Sequence, residues 1–386
     1  MQTWLWCLMA CGVAADPAPA PEPAPAQKPE PTPPPPPEIG RIEAEVIAEY
    51  PPLAINSRFA IYKSGDDWHF VSHGTDDRNN MRMWKVDGPR FAAATQHSDV
   101  GYSVNVRVLD GVAWTFGRPV GDFGRFEIVR WDTAESTSVV PPEHTRMGRR
   151  SMASAVPFRA IGWQHSMNLQ AYDRATDRDE LDVVLFTDSG VKQYVLGPRD
   201  AYDIHPVVAA HERGFVFAIR QKSEDGSKLL VICYDNNGVE LWRHTAPHQS
   251  ELSDDTWVDF DGERARIVAG LQVYDATAAG ITHRSFASAA TGHYPITCGD
   301  RSWIVAVHRG RNRGRTGSGA VVAREVLANG ELADEQVVVR HDWETIPRGV
   351  SQPRMDLTCA GERVGFAVAW PMDGHNGFVF GTFPTD

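Results

Sequence analysis

The segment with the most distinctive chemistry is an arginine- and glycine-rich run in an otherwise acidic chain. It reads Arg-Gly-Arg-Asn-Arg-Gly-Arg-Thr-Gly-Ser-Gly over residues 309–319, whereas the whole chain has a net charge of -12. Guanidinium groups and glycine-rich backbone bind phosphates and carboxylates, so the run has the composition of an anion-binding loop. Because it lies between two apolar runs, we expect a hairpin loop, and a solvated loop without a ligand is the alternative. The arginines concerned are Arg309, Arg311, Arg313 and Arg315.

Two cysteines, Cys298 and Cys359, occupy matching positions in two apolar segments, since each follows a threonine preceded by isoleucine or leucine. In an oxidising compartment the two thiols could form a disulfide between neighbouring repeat units. Two buried free thiols are the alternative, because a disulfide requires the Cα atoms to approach within about 7 Å. Cys233 lies in an apolar run and is interpreted as a core residue.

The chain begins with a leader that predicts export. Residues 4–15 form a charge-free apolar run, which has the length of a secretory signal core and is shorter than the about 20 residues that span a bilayer. Residues 8–11, Leu-Met-Ala-Cys, resemble the bacterial lipobox, in which the cysteine becomes the acylated first residue. The small residues 13–15 offer a competing cleavage site after Ala15. Segment 1–15 is therefore a predicted signal peptide with Cys11 as the lipidation site, and plain secretion is the alternative.

A proline-rich segment, residues 16–39, separates this leader from the rest of the chain and includes five consecutive prolines at 33–37. Such a composition cannot bury a core and favours an extended polyproline helix of about 3.1 Å per residue. We therefore predict a disordered tether that holds a folded domain away from a membrane. Gly12 follows Cys11, where an aspartate would retain a lipoprotein in the inner membrane. By resemblance to Gram-negative lipoproteins, this favours the outer membrane if the host has one.

From residue 40 onward the chain repeats a hairpin pattern. Apolar runs flank turns that contain a glycine, and a second kind of apolar run precedes each hairpin, seven times between residues 40 and 386. Glycine accepts the positive φ that a tight hairpin requires. Four short strands in every 40–50 residues are typical of a propeller blade. The sequence predicts an all-β fold, a β-propeller over 40–386 with seven four-stranded blades. Six blades, or stacked β-sandwiches, are the alternatives.

The two ends of this domain complement each other. The last unit stops at residues 377–383, where a third strand would lie, so it lacks an outer strand. Residues 41–48 alternate polar and apolar side chains and belong to no unit of their own. We predict that 41–48 completes the last blade and closes the ring.

Motifs for common chemistry are missing from the sequence. No CxxC pair, HExxH or GxSxG occurs, and the acidic charge balance argues against a phosphate backbone as ligand. We therefore predict no catalytic residue, no metal, no cofactor and no nucleic-acid partner.

The leader, tether and repeats together resemble the repeat-built propeller lipoproteins of bacteria. The resemblance covers architecture and rests on no diagnostic motif. It implies a monomeric, membrane-tethered binding or scaffold protein of the cell envelope, with an envelope protein or glycan as partner. The alternative is a hydrolase or lyase that acts on polysaccharide, which would need two or three carboxylates about 5–10 Å apart on the propeller axis.

Overall fold

The seven apolar runs that the sequence places ahead of its hairpins each form the second strand of an antiparallel sheet. The structure, a computed structural model, describes residues 43–46, 59–73, 81–87, 90–91, 95–97, 100–109, 112–119, 126–131, 133, 136–139, 153–156, 159–165, 180–187, 190–202, 206–222, 224, 226–248, 256–288, 290–308, 317–343, 354–371 and 376–385. Within these ranges the strands form seven sheets, six of four strands and one of five. The predicted all-β propeller architecture is confirmed.

Each sheet follows the chain from its first strand outward, and the first four sheets lie in the first two thirds of the chain. Sheet 1 contains β2 (Phe59–Ser64), β3 (Asp67–His73), β4 (Met81–Asp87), β5 (Arg90–Phe91) and β6 (Thr95–His97). Sheet 2 contains β7 (Val100–Leu109), β8 (Val112–Pro119), β9 (Phe126–Arg130) and β10 (Ser136–Val139). Sheet 3 contains β11 (Ala153–Val156), β12 (Arg159–His165), β13 (Glu180–Thr187) and β14 (Gly190–Pro198). Sheet 4 contains β15 (Val207–His211), β16 (Gly214–Gln221), β17 (Lys228–Asp235) and β18 (Glu240–Pro247).

The remaining three sheets take the C-terminal part of the chain. Sheet 5 contains β19 (Thr256–Phe260), β20 (Ala265–Ala269), β21 (Gln272–Thr277) and β22 (Gly280–Ser285). Sheet 6 contains β23 (Thr291–Cys298), β24 (Arg301–His308), β25 (Gly317–Val326) and β26 (Gln336–Trp343). Sheet 7 contains β27 (Arg354–Ala360), β28 (Arg363–Pro371) and β29 (Asn376–Pro384), with β1 (Glu43–Val46) as its outer strand. A short 3-10 helix, Arg199–Ala201, follows β14.

The first strands of successive sheets contact one another in cyclic order. β2 contacts β7, and the contacts continue through β11, β15, β19 and β23 to β27, which contacts β2. The strand predicted at 41–48 is β1, and it pairs antiparallel with β29, placing Glu45 opposite Phe380. Sheet 7 thus combines strands from the two ends of the propeller sequence.

Apolar side chains from facing sheets fill the spaces between them, because both faces of a propeller sheet are covered. Sheets 6 and 7 share one cluster in which the ring centroids of Trp303 and Phe383 lie 5.3 Å apart, edge to face. Sheets 3 and 4 share a second cluster, which includes Val183 of β13 and Phe215 of β16. Sheets 4 and 5 pack together through β17 and β20. Fully burying one such Val, Leu or Phe contributes roughly 1.5–3 kcal/mol, so these junctions hold the sheets in a fixed relation.

The outer strand of sheet 6 begins several residues after the Gly330 turn. The Leu327–Glu331 turn closes by backbone hydrogen bonds, and Leu332 makes only an isolated bridge to Val326 before β26 starts at Gln336. The chain leaves the ladder over this interval, so Glu335 precedes β26 instead of lying inside a strand. No helix in the described part of the chain has the length and apolar character needed to cross a membrane.

Candidate functional site

A half-buried polar cluster lies at the junction of sheets 5 and 6. At its centre is Glu335, whose side chain is 12% exposed. Four further polar side chains come from the β22–β23 connection, β23, β24 and β25, so the cluster draws on elements far apart in sequence. They are Ser288, His293, His308 and Arg324.

Both carboxylate oxygens of Glu335 are engaged by groups of the propeller itself. Ser288 Oγ donates to Oε2 at 2.8 Å, and Arg324 approaches the same oxygen through Nε and Nη2 at 3.3 Å. His308 Nε2 lies 3.0 Å from Oε1. Arg324 Nη2 also donates to the carbonyl oxygen of Ala287 at 2.7 Å. One carboxylate therefore ties the β22–β23 connection to three strands or strand ends of sheet 6.

His308 is oriented by this carboxylate. Because an ionised carboxylate only accepts hydrogen bonds, His308 Nε2 carries the proton of the contact, and the lone pair of the neutral ring lies on Nδ1. Nδ1 has no partner among the described residues, and the side chain is 27% exposed. A histidine held in one tautomer by a carboxylate can accept a proton or a hydrogen bond from a ligand.

The electrostatics of Glu335 reflect competition between burial and its partners. Burial by itself raises the pKa of this carboxyl group, but the hydrogen bonds from His308 and Ser288 and the charge of Arg324 outweigh it. The net effect lowers the pKa of Glu335 to about 2. Glu335 is therefore ionised throughout the neutral and mildly acidic range.

His293 lies beside this carboxylate in its neutral form. The residue is 5% exposed, its ring packs edge-on against Phe286 at a centroid distance of 5.0 Å, and its Nε2 has no hydrogen-bond partner in the described structure. Burial lowers the pKa of His293 to about 4; the negative charge of Glu335 opposes this decrease, whereas Arg324 adds to it. The imidazole is therefore an uncharged part of the junction at neutral pH.

A second charged group lies within sheet 5. Asp275 Oδ1 accepts from Arg266 Nε at 2.7 Å and Asp275 Oδ2 accepts from Arg284 Nη2 at 2.8 Å, and Arg266 is 3% exposed. Arg266 Nη1 and Arg284 Nε lack partners within the described part of the chain. Two guanidinium groups thus share one carboxylate.

A hydrolase or lyase site on the propeller axis would need carboxylates on the first strands of the sheets. In the described first strands, the carboxylates are Asp259 in β19 and Asp356 in β27, with β23 between these strands. Asp356 Oδ2 accepts a hydrogen bond from the backbone N–H of Ile61 at 2.8 Å, which joins β27 to β2. The described first strands therefore use this carboxylate to connect two sheets.

An exposed aromatic ring also lies on a first strand. Trp257 in β19 is 37% exposed and packs on Tyr294 in β23, with ring centroids 4.3 Å apart. Trp257 was not singled out by the sequence, because alternation along a strand does not distinguish a side chain that faces a neighbouring sheet from one that reaches solvent.

Some of the residues predicted from sequence lie within the described part of the chain, and others lie outside it. Cys298 at the end of β23 and Cys359 in β27 form a disulfide, with Cα atoms 5.2 Å apart, whereas Cys233 is a buried free thiol. Cys11 and the leader, the tether, and the arginines at 309, 311, 313 and 315 lie outside the described residues. Residues 309–316 connect His308 of the polar cluster to β25. Within the described ranges no group of three or more His, Cys, Asp or Glu side chains is arranged to hold a metal ion.

Sequence reasoning missed the polar cluster. It assigned no function to Ser288, His293, His308, Arg324 or Glu335. The available signal was the position of His308, directly before the arginine-rich run.

No protein-family model matches the chain, and no curated protein matches it in sequence. Solved structures with related architecture include polysaccharide lyase Uly1, with a TM-score of 0.48 and 9% identity over 88% of this chain and 91% of that chain. An oligogalacturonate lyase in complex with manganese has a TM-score of 0.45 and 12% identity, and the match covers 86% of this chain and 97% of that chain. The β-propeller domain of the Trilobed protease from Pyrococcus furiosus has a TM-score of 0.46 and 10% identity, and the match covers 86% of this chain and 95% of that chain. At these values the matches assign no ligand or activity to this chain.

Proposed function

We propose that this chain is a non-catalytic binding propeller that is exported, lipid-anchored through Cys11 and displayed on a proline-rich tether at the bacterial cell envelope. Its ligand is an acidic glycan, held at the end of the propeller where β24 passes into β25. The proposal combines the predicted leader and arginine loop with the geometry of the polar cluster.

The observation that carries the non-catalytic part is the engagement of Glu335. Both of its oxygens contact partners within the propeller, and its pKa is lowered to about 2. Glycoside hydrolysis uses a carboxylic acid that is protonated at working pH together with a second carboxylate across the scissile bond. A carboxylate that is ionised at neutral pH and contacted through both oxygens is suited to holding a junction together.

The anionic ligand follows from the loop that begins next to His308. Residues 309–316 carry four arginines and connect two paired strands, with His308 opposite Ala320. Glu335, the carboxylate of the polar cluster, already forms an ion pair with Arg324. It therefore has a cationic partner of its own within the described cluster. Planar guanidinium groups bind carboxylates and sulfates through paired hydrogen bonds.

The binding experiment compares retention of the full-length protein on immobilised alginate, a polymer of uronates, and on neutral dextran. Replacing Arg309, Arg311, Arg313 and Arg315 with glutamine should abolish retention on alginate. A control variant removes the same charge from exposed cations of sheet 4, at Arg213, Lys222, Lys228 and Arg243. Retention that survives in the loop variant, or that falls equally in the control, would contradict the proposal.

One observation favours a second candidate function, a polysaccharide lyase. His308 Nδ1 is unpartnered among the described residues and is oriented by Glu335 through Nε2. It could take the proton from the ring carbon next to a uronate carboxylate. The bond from the neighbouring carbon to the glycosidic oxygen would then break, a ring C=C bond would form, and the leaving oxygen would take a proton from solvent.

The lyase candidate is tested by product formation. Alginate incubated with the native protein would yield unsaturated uronate ends that absorb in the ultraviolet, and His308→Ala would eliminate them. Binding without any unsaturated product supports the non-catalytic proposal.

The anchor is tested by intact mass and membrane partition in a bacterial host. The native chain should gain a diacylglycerol-sized mass and sediment with membranes, and Cys11→Ala should lose both. A native chain that begins at Asp16 without added mass would contradict the lipid anchor and support plain secretion.

A further inference from the structure

The exposed Trp257 packs on Tyr294, which follows a β-bulge in the neighbouring first strand, β23. In β23 the pairing with β24 shifts between Thr291 and Tyr294, which marks a β-bulge. Gly292 within the bulge has φ +64°, and a Cβ atom there would lie 3.1 Å from Tyr294 Cε2. Bulges re-aim side chains, and here the bulge sets Tyr294 against the backbone of Gly292.

Tyr294 is also fixed from the other side. Its hydroxyl oxygen accepts a hydrogen bond from the backbone N–H of Met355 in β27 at 3.2 Å. Its ring supports Trp257 at 4.3 Å with planes inclined by 32°. Three consecutive first strands, β19, β23 and β27, therefore combine to hold one indole ring in a fixed orientation.

The exposed face of Trp257 is unusual for its position. Most described aromatic side chains on the first and second strands of sheets 4 to 7 are buried between sheets, as Phe215, Phe260, Trp303 and Phe366 are. Trp257 keeps 37% of its surface exposed, and its Nε1–H has no partner among the described residues. A ligand with an apolar face would remove the exposed ring from water, and its hydroxyl groups could replace the water that hydrogen-bonds the indole N–H.

A carboxylate lies two residues further along the same strand. Asp259 is half-buried, and residues i and i+2 of a strand face the same side about 7 Å apart. This distance matches the span of a single pyranose ring and its hydroxyls. Asp259 can accept hydrogen bonds from those hydroxyls while the ring stacks on Trp257.

The geometry points to a sugar-stacking site: we propose that Trp257, supported by Tyr294, binds the C–H face of a hexopyranose ring, with Asp259 accepting from its hydroxyl groups. This deepens the proposed function, because it rests on a glycan ligand and assigns the contact to sugar rings. Thr291, three residues before Tyr294, pairs with Val307, the neighbour of His308. The aromatic pair therefore lies towards the end of the sheets at which β24 ends with His308.

The test uses cellohexaose, an uncharged hexamer of glucose, and the full-length protein. Native protein should bind it, and Trp257→Ala should lower the affinity by about tenfold or more, whereas Trp257→Phe should recover part of the loss. The control is Trp242→Ala, which removes a half-buried tryptophan that stacks on His244 in the outer strand β18 at 5.4 Å. Trp242→Ala should bind cellohexaose as the native protein does.

Saturation-transfer NMR adds a direct readout, since magnetisation should reach the C–H protons of the stacked face in native protein and disappear in Trp257→Ala. The proposal is overturned if native protein does not bind cellohexaose, if Trp257→Ala binds it equally well, or if Trp242→Ala weakens binding as much. Because cellohexaose carries no charge, its binding does not depend on the arginine loop. Either proposal can therefore fail while the other stands.

Discussion

His308 Nε2 lies 3.0 Å from Glu335 Oε1, although the two residues are 27 positions apart in the chain. The contact joins the end of β24 to the residue that precedes β26, and Ser288 extends it to the connection from sheet 5. The same junction includes the buried, neutral His293. Lowering the pH should therefore affect the junction of sheets 5 and 6 through both His293 and Glu335.

Glu335 should stabilise the folded protein at neutral pH and lose that effect in acid. Its folded-state pKa is lowered from 4.5 to about 2, so its contribution is present above pH 4.5 and disappears as the pH falls towards 2. The shift corresponds to about 3 kcal/mol of unfolding free energy. Denaturant titrations from pH 7 to 2 should show this decline in the native protein and a smaller one in Glu335→Gln.

The control for this experiment is Glu263→Gln, which removes an exposed partner of Arg213. Exposed pairs contribute about 0–1 kcal/mol, so this variant should follow the native pH profile. If Glu335→Gln follows the native profile as well, the assigned ionisation of Glu335 is wrong.

His293 should act in a higher pH window and in the destabilising direction. Its folded-state pKa is lowered from 6.5 to about 4, so below pH 6.5 the unfolded chain binds a proton that the folded chain does not. Stability should fall by up to about 3 kcal/mol as the pH drops from 6.5 to 4. His293→Phe, which keeps a ring against Phe286, should flatten this part of the profile, and an unchanged slope would refute the buried neutral histidine.

The disulfide between Cys298 and Cys359 connects the first strands of sheets 6 and 7, with a sequence separation of 61 residues. Replacing both cysteines with serine should lower the free energy of unfolding by about 2–4 kcal/mol. Reductant should destabilise the native protein and leave the double variant unaffected. Alkylation of the unfolded, unreduced propeller should label Cys233 and spare the other two cysteines; labelling of all three would contradict the bond.

A close approach between sheets 7 and 1 leaves no room for a side chain at Gly365 unless Trp68 moves. A Cβ atom at Gly365 would lie 2.2 Å from Cη2 of Trp68, so the indole must move. Gly365→Ala should therefore cost about 1–3 kcal/mol of unfolding free energy. Adding Trp68→Phe should recover most of that loss in a double-mutant cycle, whereas additive effects would show that the two residues do not meet.

Local periodicity was enough to predict the strands and the class of fold. The apolar runs at Phe215–Phe217 and Trp303–Val305 form second strands, and the matching contexts of Cys298 and Cys359 predicted equivalent strands of adjacent units, which are β23 and β27. These features repeat because every sheet meets the same environment on both faces. Equivalent strands of the seven sheets therefore have similar patterns of apolar residues.

The polar cluster and the aromatic pair could not be predicted in the same way. The contacts of Glu335 to Ser288 and His308 span 47 and 27 residues, which no local pattern reveals. Trp257 contacts Tyr294 directly after a β-bulge in β23 that the repeat pattern does not indicate. Such features depend on departures from the repeat, and a repeat-based prediction averages over them.

The central claim is that the propeller binds an acidic glycan without cleaving it. The most direct test is equilibrium binding of an alginate hexamer to the full-length protein, with the same sample analysed for unsaturated ends afterwards. We expect the native protein to bind the hexamer and return it intact, and the variant with glutamine at 309, 311, 313 and 315 to bind it at least about tenfold more weakly. Cleavage of the hexamer by the native protein, or equal binding by the variant, would contradict the account.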